Sequence, residues 1–326
     1  MKRNIILFAS DPTWGAVSNF NEMFNTSDKY TAYEILLMND NYYNFGKNIP
    51  NKIIYSSNNK QIKDLVSDIN TIFFLFDAKG MNLFKRCADD MGINIKKRSI
   101  NIFWSGTPYR KSSKECNIWV KENNVIAYAM MDLIRLGNNS IPLMQPHNTN
   151  KYLKIRKDIK KKSDKLIICH SPGNKGKDNR KGTRFIEKVI SQIQKKYKNI
   201  EYVQIGKKSG PNRYVSHAEC IKLKATADIF VEKCGKHTAG GLGKSGMEAI
   251  CLGIPTISAL HDSRFDNRYK DLFVISGNTE KELYDQLVLL IENKSYYNEV
   301  VQKTLDTASV INYSNTLAYM EKTMAK

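Results

Sequence analysis

Residues 227–258 are ADIFVEKCGKHTAGGLGKSGMEAICLGIPTIS. The stretch begins with a short apolar run typical of a buried strand, passes through a glycine-rich turn into a helix that carries Glu248, and ends in a second apolar strand. Glycines let the backbone approach a ligand without a Cβ in the way, and the carboxylate of Glu248, one turn into the helix, can accept hydrogen bonds from a ribose diol. The pattern therefore predicts a nucleotide-binding site.

The same alternation of short apolar strands and polar helices fills the rest of the chain. Strands are predicted in the first half at Asn4–Ala9, Ala32–Met38, Lys52–Tyr55, Thr71–Phe76, Ile100–Trp104 and Val125–Tyr128. They are predicted in the second half at Lys165–His170, Glu201–Ile205, Asp228–Val231, Ile254–Ala259 and Leu272–Ile275. Several are apolar throughout, which is typical of parallel sheets buried on both faces. We therefore expect an α/β protein with two doubly wound units in series.

A second loop lies upstream in residues 165–190, KLIICHSPGNKGKDNRKGTRFIEKVI. Here a predicted strand ends at His170, and Lys181-Gly182-Thr183 opens an amphipathic helix predicted over Thr183–Lys198. A helix N-terminus offers unpaired N–H groups and the positive end of the helix dipole, and Arg180 and Lys181 add charge. This loop predicts a diphosphate site.

Composition narrows the class of protein. With 326 residues, 41% hydrophobic and 25% charged, the sequence excludes disordered and fibrous proteins, and a formal charge of +19 favours an anionic partner. The six cysteines are scattered without a C-x-x-C pair or histidines at metal-ligand spacing, so we expect reduced thiols, no metal site and a cytoplasmic location. No apolar stretch approaches the roughly 20 residues of a membrane span.

Two nucleotide motifs in the glycine-rich turn are weak matches. Gly241-Leu242-Gly243-Lys244-Ser245-Gly246 fits the dinucleotide pattern G-x-G-x-x-G, but the predicted strand ends well before it, so an NAD-dependent oxidoreductase ranks last. Gly243-Lys244-Ser245 resembles the end of a P-loop, but Thr238 stands where that motif needs its first glycine.

The order Gly241-x-Gly243, Glu248-Ala249, Gly253-x-Pro255, preceded by Lys181-Gly182, resembles the donor site of GT-B glycosyltransferases, in particular the retaining family four. The resemblance implies two Rossmann-like domains facing across a cleft. The expected boundaries are 1–148 for the acceptor-side domain, 149–164 for a basic linker, and 165–326 for the nucleotide-sugar donor domain. The last helix, near Tyr313–Met324, could pack back on the first domain.

The resemblance also implies an activity: transfer of a sugar from a nucleotide-diphosphate sugar to a hydroxyl acceptor, with retention and without a required cofactor or metal. Lys181 would neutralise the diphosphate with Arg180 nearby, and Glu248 would hold the donor ribose. The backbone facing the sugar or phosphates would come from Gly182, Gly240, Gly241, Leu242 and Gly243.

Three further positions follow from the same comparison. Gly240 stands where many members have a glutamate, so Glu232 at the end of the preceding strand, or a polar residue around Lys236-His237, is a candidate substitute. In the first half, Gly15 lies in the loop that faces the donor phosphates in the family. Asp11 could be an acceptor-side base, although an Asp before Pro is more often a turn residue.

The acceptor stays open at this point. A saccharide or lipid-linked glycan at an anionic membrane surface would suit the basic linker, whereas a hydroxylated base in DNA would suit the overall charge. A non-catalytic nucleotide-binding or nucleic-acid-binding protein is a further alternative. Trp104 and Tyr109, just after a predicted strand, could stack on a sugar or base or could belong to the core.

Overall fold

The computed structural model describes residues 2–9, 16–37, 51–56, 59–131, 133–134, 136–137, 139–161, 164–172, 181–205, 215–235, 238, 240–260 and 271–324, without the side chains of 106–108. Its strands are β1 (Arg3–Ala9), β2 (Tyr30–Leu36), β3 (Lys52–Ile54), β4 (Ile72–Phe76), β5 (Ser99–Trp104), β6 (Ile126–Ala129), β7 (Ile141–Pro142), β8 (Leu166–His170), β9 (Ile200–Gln204), β10 (Ile229–Val231), β11 (Thr256–Ser258) and β12 (Ile275–Ser276).

Eleven helices are formed by these described parts of the chain. They are α1 (Ala16–Asn25), α2 (Lys60–Ser67), α3 (Asp77–Met91), α4 (Gly106–Glu122), α5 (Thr149–Asp158), α6 (Thr183–Lys196), α7 (His217–Lys224), α8 (Lys244–Cys251), α9 (Glu280–Glu292), α10 (Lys294–Val310) and α11 (Tyr313–Thr323). None of them is long and apolar enough to cross a membrane.

The chain divides into two compact units. Unit 1 is Met1–Pro146 with Tyr313–Lys326, and unit 2 is His147–Asn312. Unit 1 holds a seven-stranded sheet in the order β3-β2-β1-β4-β5-β6-β7, and unit 2 holds a five-stranded sheet in the order β12-β11-β10-β8-β9. All the strand pairs are parallel. The predicted strands and the α/β class are therefore confirmed.

The core of unit 1 is aromatic. Strand β4 reads IFFLF and is buried at every position, because helices cover both faces of a parallel sheet. Phe20 of α1 packs between Phe74 and Phe103, with ring centroids 5.2 and 5.1 Å away. Helix α11 adds Met320 to this cluster, and the Tyr313 hydroxyl donates to Glu22 over 2.9 Å. These contacts place α11 in unit 1.

In unit 2, helix α6 shows how the sequence produces the fold. Ile186, Val189, Ile190 and Ile193 recur at the spacing of one helix face, and all four are buried in the core cluster of the unit. The charged residues of the other face stay in solvent, as at Lys188, which forms an exposed ion pair with Glu280.

Residues 149–164 differ from the expected linker. Most of this stretch is α5, a helix of unit 2. The Asn148 side chain caps the helix by accepting from the Lys151 N–H over 3.1 Å. Tyr152 is buried, and the Arg156 guanidinium donates to the Ala225 carbonyl. The stretch is rich in exposed lysines, but these anchors hold it in a defined place.

The strand orders fix where each sheet can bind a ligand. In unit 2, the chain passes from β8 to β9 on one side and then returns to β10 on the other side of β8. The loops that leave β8 and β10 therefore run in opposite directions and leave a crevice at the carboxyl ends of these two strands, which is where open α/β sheets bind ligands. In unit 1 the corresponding point lies between β1 and β4.

Candidate functional site

A buried ion pair lies at the β8/β10 crevice of unit 2. Glu232, the first residue after β10, is fully buried, and its Oε2 lies 3.2 Å from Nζ of Lys181. Its other oxygen, Oε1, has no hydrogen-bond partner among the described residues. Burial alone would raise the pKa of Glu232, but Lys181, together with Lys233 and Lys224, holds it below its usual value. The structure thus joins two predicted site residues that are far apart in sequence.

The backbone of Lys181 is fixed to the segment that follows Glu232. The Cys234 N–H donates to the Lys181 carbonyl over 3.2 Å. Gly182 then turns the chain into α6 with a φ of 68°, a conformation that favours glycine. A Cβ added at Gly182 would lie only 1.9 Å from the Cys234 carbonyl oxygen. The Lys-Gly turn therefore needs its glycine for both conformation and space.

His170 links the elements on either side of the crevice. Its Nδ1 lies 2.8 Å from the Val231 carbonyl oxygen at the end of β10, and its Nε2 lies 3.0 Å from Oγ1 of Thr183 at the start of α6. Because a carbonyl can only accept, Nδ1 donates to it and Nε2 accepts from the hydroxyl. Burial lowers the pKa of His170 to about 4. At neutral pH, His170 is therefore uncharged and connects the end of β10 to the start of α6 through its two hydrogen bonds.

The predicted glycine-rich turn is anchored to β11. Gly240 and Gly241 have φ values of 64° and 65°, in the region that favours glycine. The Gly241 N–H donates to the Ala259 carbonyl over 2.7 Å, and the Ser258 hydroxyl donates to the Gly241 carbonyl over 2.8 Å. The Lys233 ammonium donates to the Gly240 carbonyl over 3.2 Å. The turn is thereby held at the carboxyl edge of the sheet.

From this turn the chain enters α8. Leu242 is buried and Gly243 is the N-cap residue, so the N–H groups of the first helical turn lie at this edge of the sheet. A Cβ at Gly243 would lie 2.7 Å from Oε1 of Glu232, and one at Gly246 would lie 2.9 Å from Leu242. Because Gly243 and Gly246 have no side chains, there is room for the Glu232 carboxylate beside the start of α8.

Glu248, the predicted ribose ligand, lies in a buried cluster of cations. Its Oε2 accepts from the Lys224 ammonium, and its Oε1 lies 2.6 Å from Nε2 of His217 and 3.7 Å from Nζ of Lys244. Burial alone would raise the pKa of Glu248, but Lys224 and its neighbours hold it well below the usual range. Burial lowers the pKa of Lys244 to about 8.

Both oxygens of Glu248 thus already accept hydrogen bonds, so a ribose would have to share them with His217 or Lys224. Sequence analysis identified neither His217 nor Lys224 as a partner of Glu248. A signal for them exists in hindsight, because His217 and Lys224 are seven residues apart and therefore share one face of a helix.

Four lysines and two glutamates meet at this edge of unit 2. Lys233 is the one member not described above as the partner of a glutamate. Among these six side chains, positive charge exceeds negative charge. The six are Lys181, Lys224, Lys233, Lys244, Glu232 and Glu248. With the N-terminus of α8, they form an arrangement that suits an anion. Asp11, Gly15 and Arg180 lie outside the described residues.

Unit 1 has one unusual residue at its own crevice. Asp77 follows β4 directly and has a φ of 60°, because α3 begins with no intervening loop. The Asp77 carboxylate accepts from the Ala78 N–H over 2.9 Å, and burial raises its pKa to about 6. Gly80 in the next turn allows α3 to approach the β1 backbone, since a Cβ there would lie 2.3 Å from the Phe8 carbonyl oxygen.

Trp104 and Tyr109 belong to the core. Their rings stack with centroids 4.1 Å apart at 10°, and both side chains are fully buried. The Tyr109 hydroxyl donates to Oδ1 of Asn117 over 2.9 Å. The hypothesis that these rings stack on a sugar or base is therefore wrong, since each ring already has the other as its partner.

Comparisons with known proteins identify the fold. No family model matches the sequence, and no curated protein matches it. Solved structures do match. Anabaena HepE (Alr3699) in complex with UDP and glucose is 12% identical over 99% of both chains, with a TM-score of 0.62. A glycosyltransferase from Rickettsia africae ESF-5 is 11% identical over 98% of this chain and 97% of its own, also with a TM-score of 0.62.

A UDP-N-acetylglucosamine 2-epimerase is 11% identical over 100% of this chain and 98% of its own, with a TM-score of 0.57. These identities are low, so the likeness concerns the fold. Because it extends over nearly the whole of each chain and includes both sheets, the predicted fold class is confirmed. The chain has the GT-B fold that glycosyltransferases and nucleotide-sugar epimerases share.

Proposed function

We propose that the chain is a glycosyltransferase that moves a sugar from a nucleotide-diphosphate sugar to a hydroxyl acceptor, with retention at the anomeric carbon. The observation that carries the proposal is the position of the Lys181 ammonium, which lies at the β8/β10 crevice on a backbone hydrogen-bonded to Cys234, just after β10. Open α/β sheets bind nucleotides at this point. The resemblance to family four supports the transfer and the retention.

The residues of unit 2 suit a diphosphate leaving group. When the bond from sugar to diphosphate breaks, negative charge develops on the departing nucleotide. A lysine ammonium and helix N–H groups already in place stabilise that charge without reorganisation at the moment of reaction. Lys181 and the first turn of α8 would supply these groups, with Arg180 as a further cation. The backbone of Gly240–Gly243 would face the phosphates or the sugar.

Other roles follow from the resemblance. Glu248 would hold the donor ribose by sharing its oxygens with its present partners, Asp11 would be the acceptor-side base, and Gly15 would line the donor phosphates. The reaction would need no metal or other cofactor, since lysines supply the positive charge. The protein would act in the cytoplasm.

Uridine nucleotides are the first donors to test. Anabaena HepE has been crystallised with UDP and with UDP-glucose, and epimerases of UDP-N-acetylglucosamine share the fold. The protein should be incubated with UDP-glucose and UDP-N-acetylglucosamine, with and without EDTA, and the sugar protons followed by NMR. Slow release of UDP and sugar without an acceptor supports a transferase, and the configuration of the first-formed sugar tests retention.

Two controls make this experiment decisive. Lys181→Met should abolish UDP release, whereas Lys188→Met, on the exposed face of the helix α6 that follows, should leave it unchanged. If the nucleotide sugar is converted to its 2-epimer with UDP still attached, the chain is an epimerase and the proposal of a transferase fails. Binding of UDP without any turnover would favour a non-catalytic nucleotide-binding protein.

For the acceptor we propose a saccharide or lipid-linked glycan, with exposed lysines of α5, such as Lys151, near an anionic membrane surface. Vesicles with and without anionic lipid test that surface. The DNA alternative predicts binding that weakens steeply with salt. Transfer of labelled sugar to glycolipid extracts or to DNA with hydroxylated bases would then identify the acceptor.

A further inference from the structure

Glu232 is the only acidic group that the described structure places against Lys181, and the chain around it is shaped to hold it. Building on the proposed function, we propose that Glu232 is a positioning residue that fixes the Lys181 ammonium at the crevice and keeps it charged for the diphosphate. In this role Glu232 need not touch the nucleotide sugar.

The geometry of the Lys-Gly turn supports this role. Because the Cys234 N–H holds the Lys181 carbonyl and Gly182 cannot carry a Cβ, the Lys181 backbone has one place relative to β10. Only the side chain can still move. Its ammonium lies 3.2 Å from Glu232 Oε2, so the carboxylate selects one side-chain direction.

The space around Glu232 supports the same conclusion. Side chains at Gly243 and Gly246 would meet the Glu232 carboxylate or its methylene groups at 2.7 and 3.2 Å. The two glycines at the start of α8 thus leave enough space for a glutamate side chain next to the helix. Oε1 of Glu232 lies next to this glycine backbone and has no hydrogen-bond partner in the described part of the chain. A buried carboxylate oxygen left unpaired is costly, so the arrangement is unfavourable for stability alone.

Electrostatics explains what the carboxylate does. Among the described residues, the charged groups that act on Lys181 are Glu232, Lys233 and Lys224, and the nearby His170 is neutral at neutral pH. Burial and the two lysines lower the pKa of Lys181, and Glu232 raises it. Without Glu232, a partly buried ammonium beside two other cations would lose its proton at lower pH. A neutral Lys181 could not offset the charge of a diphosphate.

The test compares Glu232→Gln with wild type in UDP binding by isothermal titration calorimetry between pH 6 and pH 9. We expect the ratio of mutant to wild-type Kd to rise with pH, by up to about tenfold per pH unit above the lowered pKa of Lys181. The double variant Glu232→Gln/Lys181→Arg should keep a ratio that does not change with pH, because arginine stays protonated.

A ratio that is constant with pH in Glu232→Gln would overturn the proposal. So would a rise with pH that the arginine does not remove, since the charge of residue 181 would then not be its cause. Comparable far-UV circular dichroism of all variants shows that they are folded. If Glu232→Gln is not folded, Glu232→Asp replaces it, and the proposal then predicts a smaller rise with pH.

A second readout separates this proposal from the proposed function. Competitive acetylation of lysines, with the extent at Lys181 read by mass spectrometry, reports the protonation of that amine without any nucleotide. Glu232→Gln should shift the pH at which Lys181 becomes reactive to a lower value. If wild type does not bind UDP but this shift occurs, the proposed function fails and the role of Glu232 stands. If UDP binds and no shift occurs, the role of Glu232 fails.

Discussion

Replacing Lys224 with Met tests whether the buried cations around Glu248 are part of the fold of unit 2. In wild type, the Lys224 and Glu248 side chains are 2% and 3% exposed, and the ammonium donates to Oε2 of the carboxylate. Methionine fills a similar volume but has no charge. The substitution therefore leaves the Glu248 carboxylate buried with His217 and Lys244 as its remaining partners.

The size of the effect follows from burial. Removing one member of a buried ion pair typically costs about 3–5 kcal/mol, because the other charge stays buried without its counter-charge. His217 lies 2.6 Å from Oε1 of Glu248. Burial lowers the pKa of His217, Glu248 raises it and Lys224 lowers it, so the loss of Lys224 favours the protonated form at low pH, where His217 can replace part of the lost charge. We expect a loss of about 3 kcal/mol at pH 8 and a smaller loss at pH 5.5.

Urea unfolding measures this loss if the two units are followed separately. The three tryptophans, Trp14, Trp104 and Trp119, all fall within residues 1–146, so tryptophan fluorescence reports unit 1. Far-UV circular dichroism reports both units. A transition seen by circular dichroism but not by fluorescence therefore reports unit 2. Lys224→Met should shift that transition to a lower urea concentration. The control is Lys188→Met, since Lys188 pairs with Glu280 on the surface and exposed pairs contribute little.

Two results would refute this reasoning. A Lys224→Met protein that unfolds at the same urea concentration as Lys188→Met would show that Lys224 is not needed to offset a buried charge. An equal loss at pH 8 and at pH 5.5 would show that His217 does not take over. A third outcome would link the cluster to the nucleotide site. In that case Lys224→Met binds UDP more weakly in proportion to its lost stability, and saturating UDP restores the stability.

Three further predictions concern other parts of the chain. Gly182→Ala should weaken UDP binding at least tenfold while unit 1 unfolds as in wild type, because the new Cβ would displace the Cys234 carbonyl and with it the Lys-Gly turn; unchanged UDP affinity would contradict this. Burial raises the pKa of Glu34 to about 7 from an ordinary value of 4.5, so between these pH values Glu34 ionises in the unfolded chain but stays protonated in the folded one, and the stability of unit 1 should fall by about 3 kcal/mol as the pH rises from 4.5 to 7. Glu34→Gln should remove that slope in tryptophan-monitored unfolding, and an identical slope would count against it. Trp104→Ala should cost about 3–5 kcal/mol of unit 1 stability, because the ring is fully buried against Tyr109, and should leave UDP affinity unchanged; lost affinity in a folded variant would contradict the core assignment.

The sequence predicted the strands well because local composition decides them. Runs such as IFFLF in β4 are apolar at every position, and only a parallel sheet covered on both faces buries such a run. The glycine-rich turn was predictable for a similar reason, since Gly240 and Gly241 adopt conformations that favour glycine. The missed strand β7 has two residues, one of them Pro142, at the edge of the sheet.

Side-chain pairing was beyond the reach of sequence analysis. Lys181 and Glu232 were both candidate residues, but nothing local indicates that they meet, because β10 pairs with β8 only in the folded sheet. The same holds for Lys224 and Glu248. Their contact depends on α7 packing near α8, so a lysine that reads as an exposed helix residue is buried.

The most direct test of the central claim is calorimetric titration of UDP into wild type, Lys181→Met and Lys188→Met. Wild type and Lys188→Met should bind UDP with the same Kd. Lys181→Met should bind UDP at least about tenfold more weakly, since a hydrogen bond to a charged group contributes roughly 1.5–3 kcal/mol. Equal UDP affinity in all three proteins, or no binding by any of them, would contradict a diphosphate site at the β8/β10 crevice.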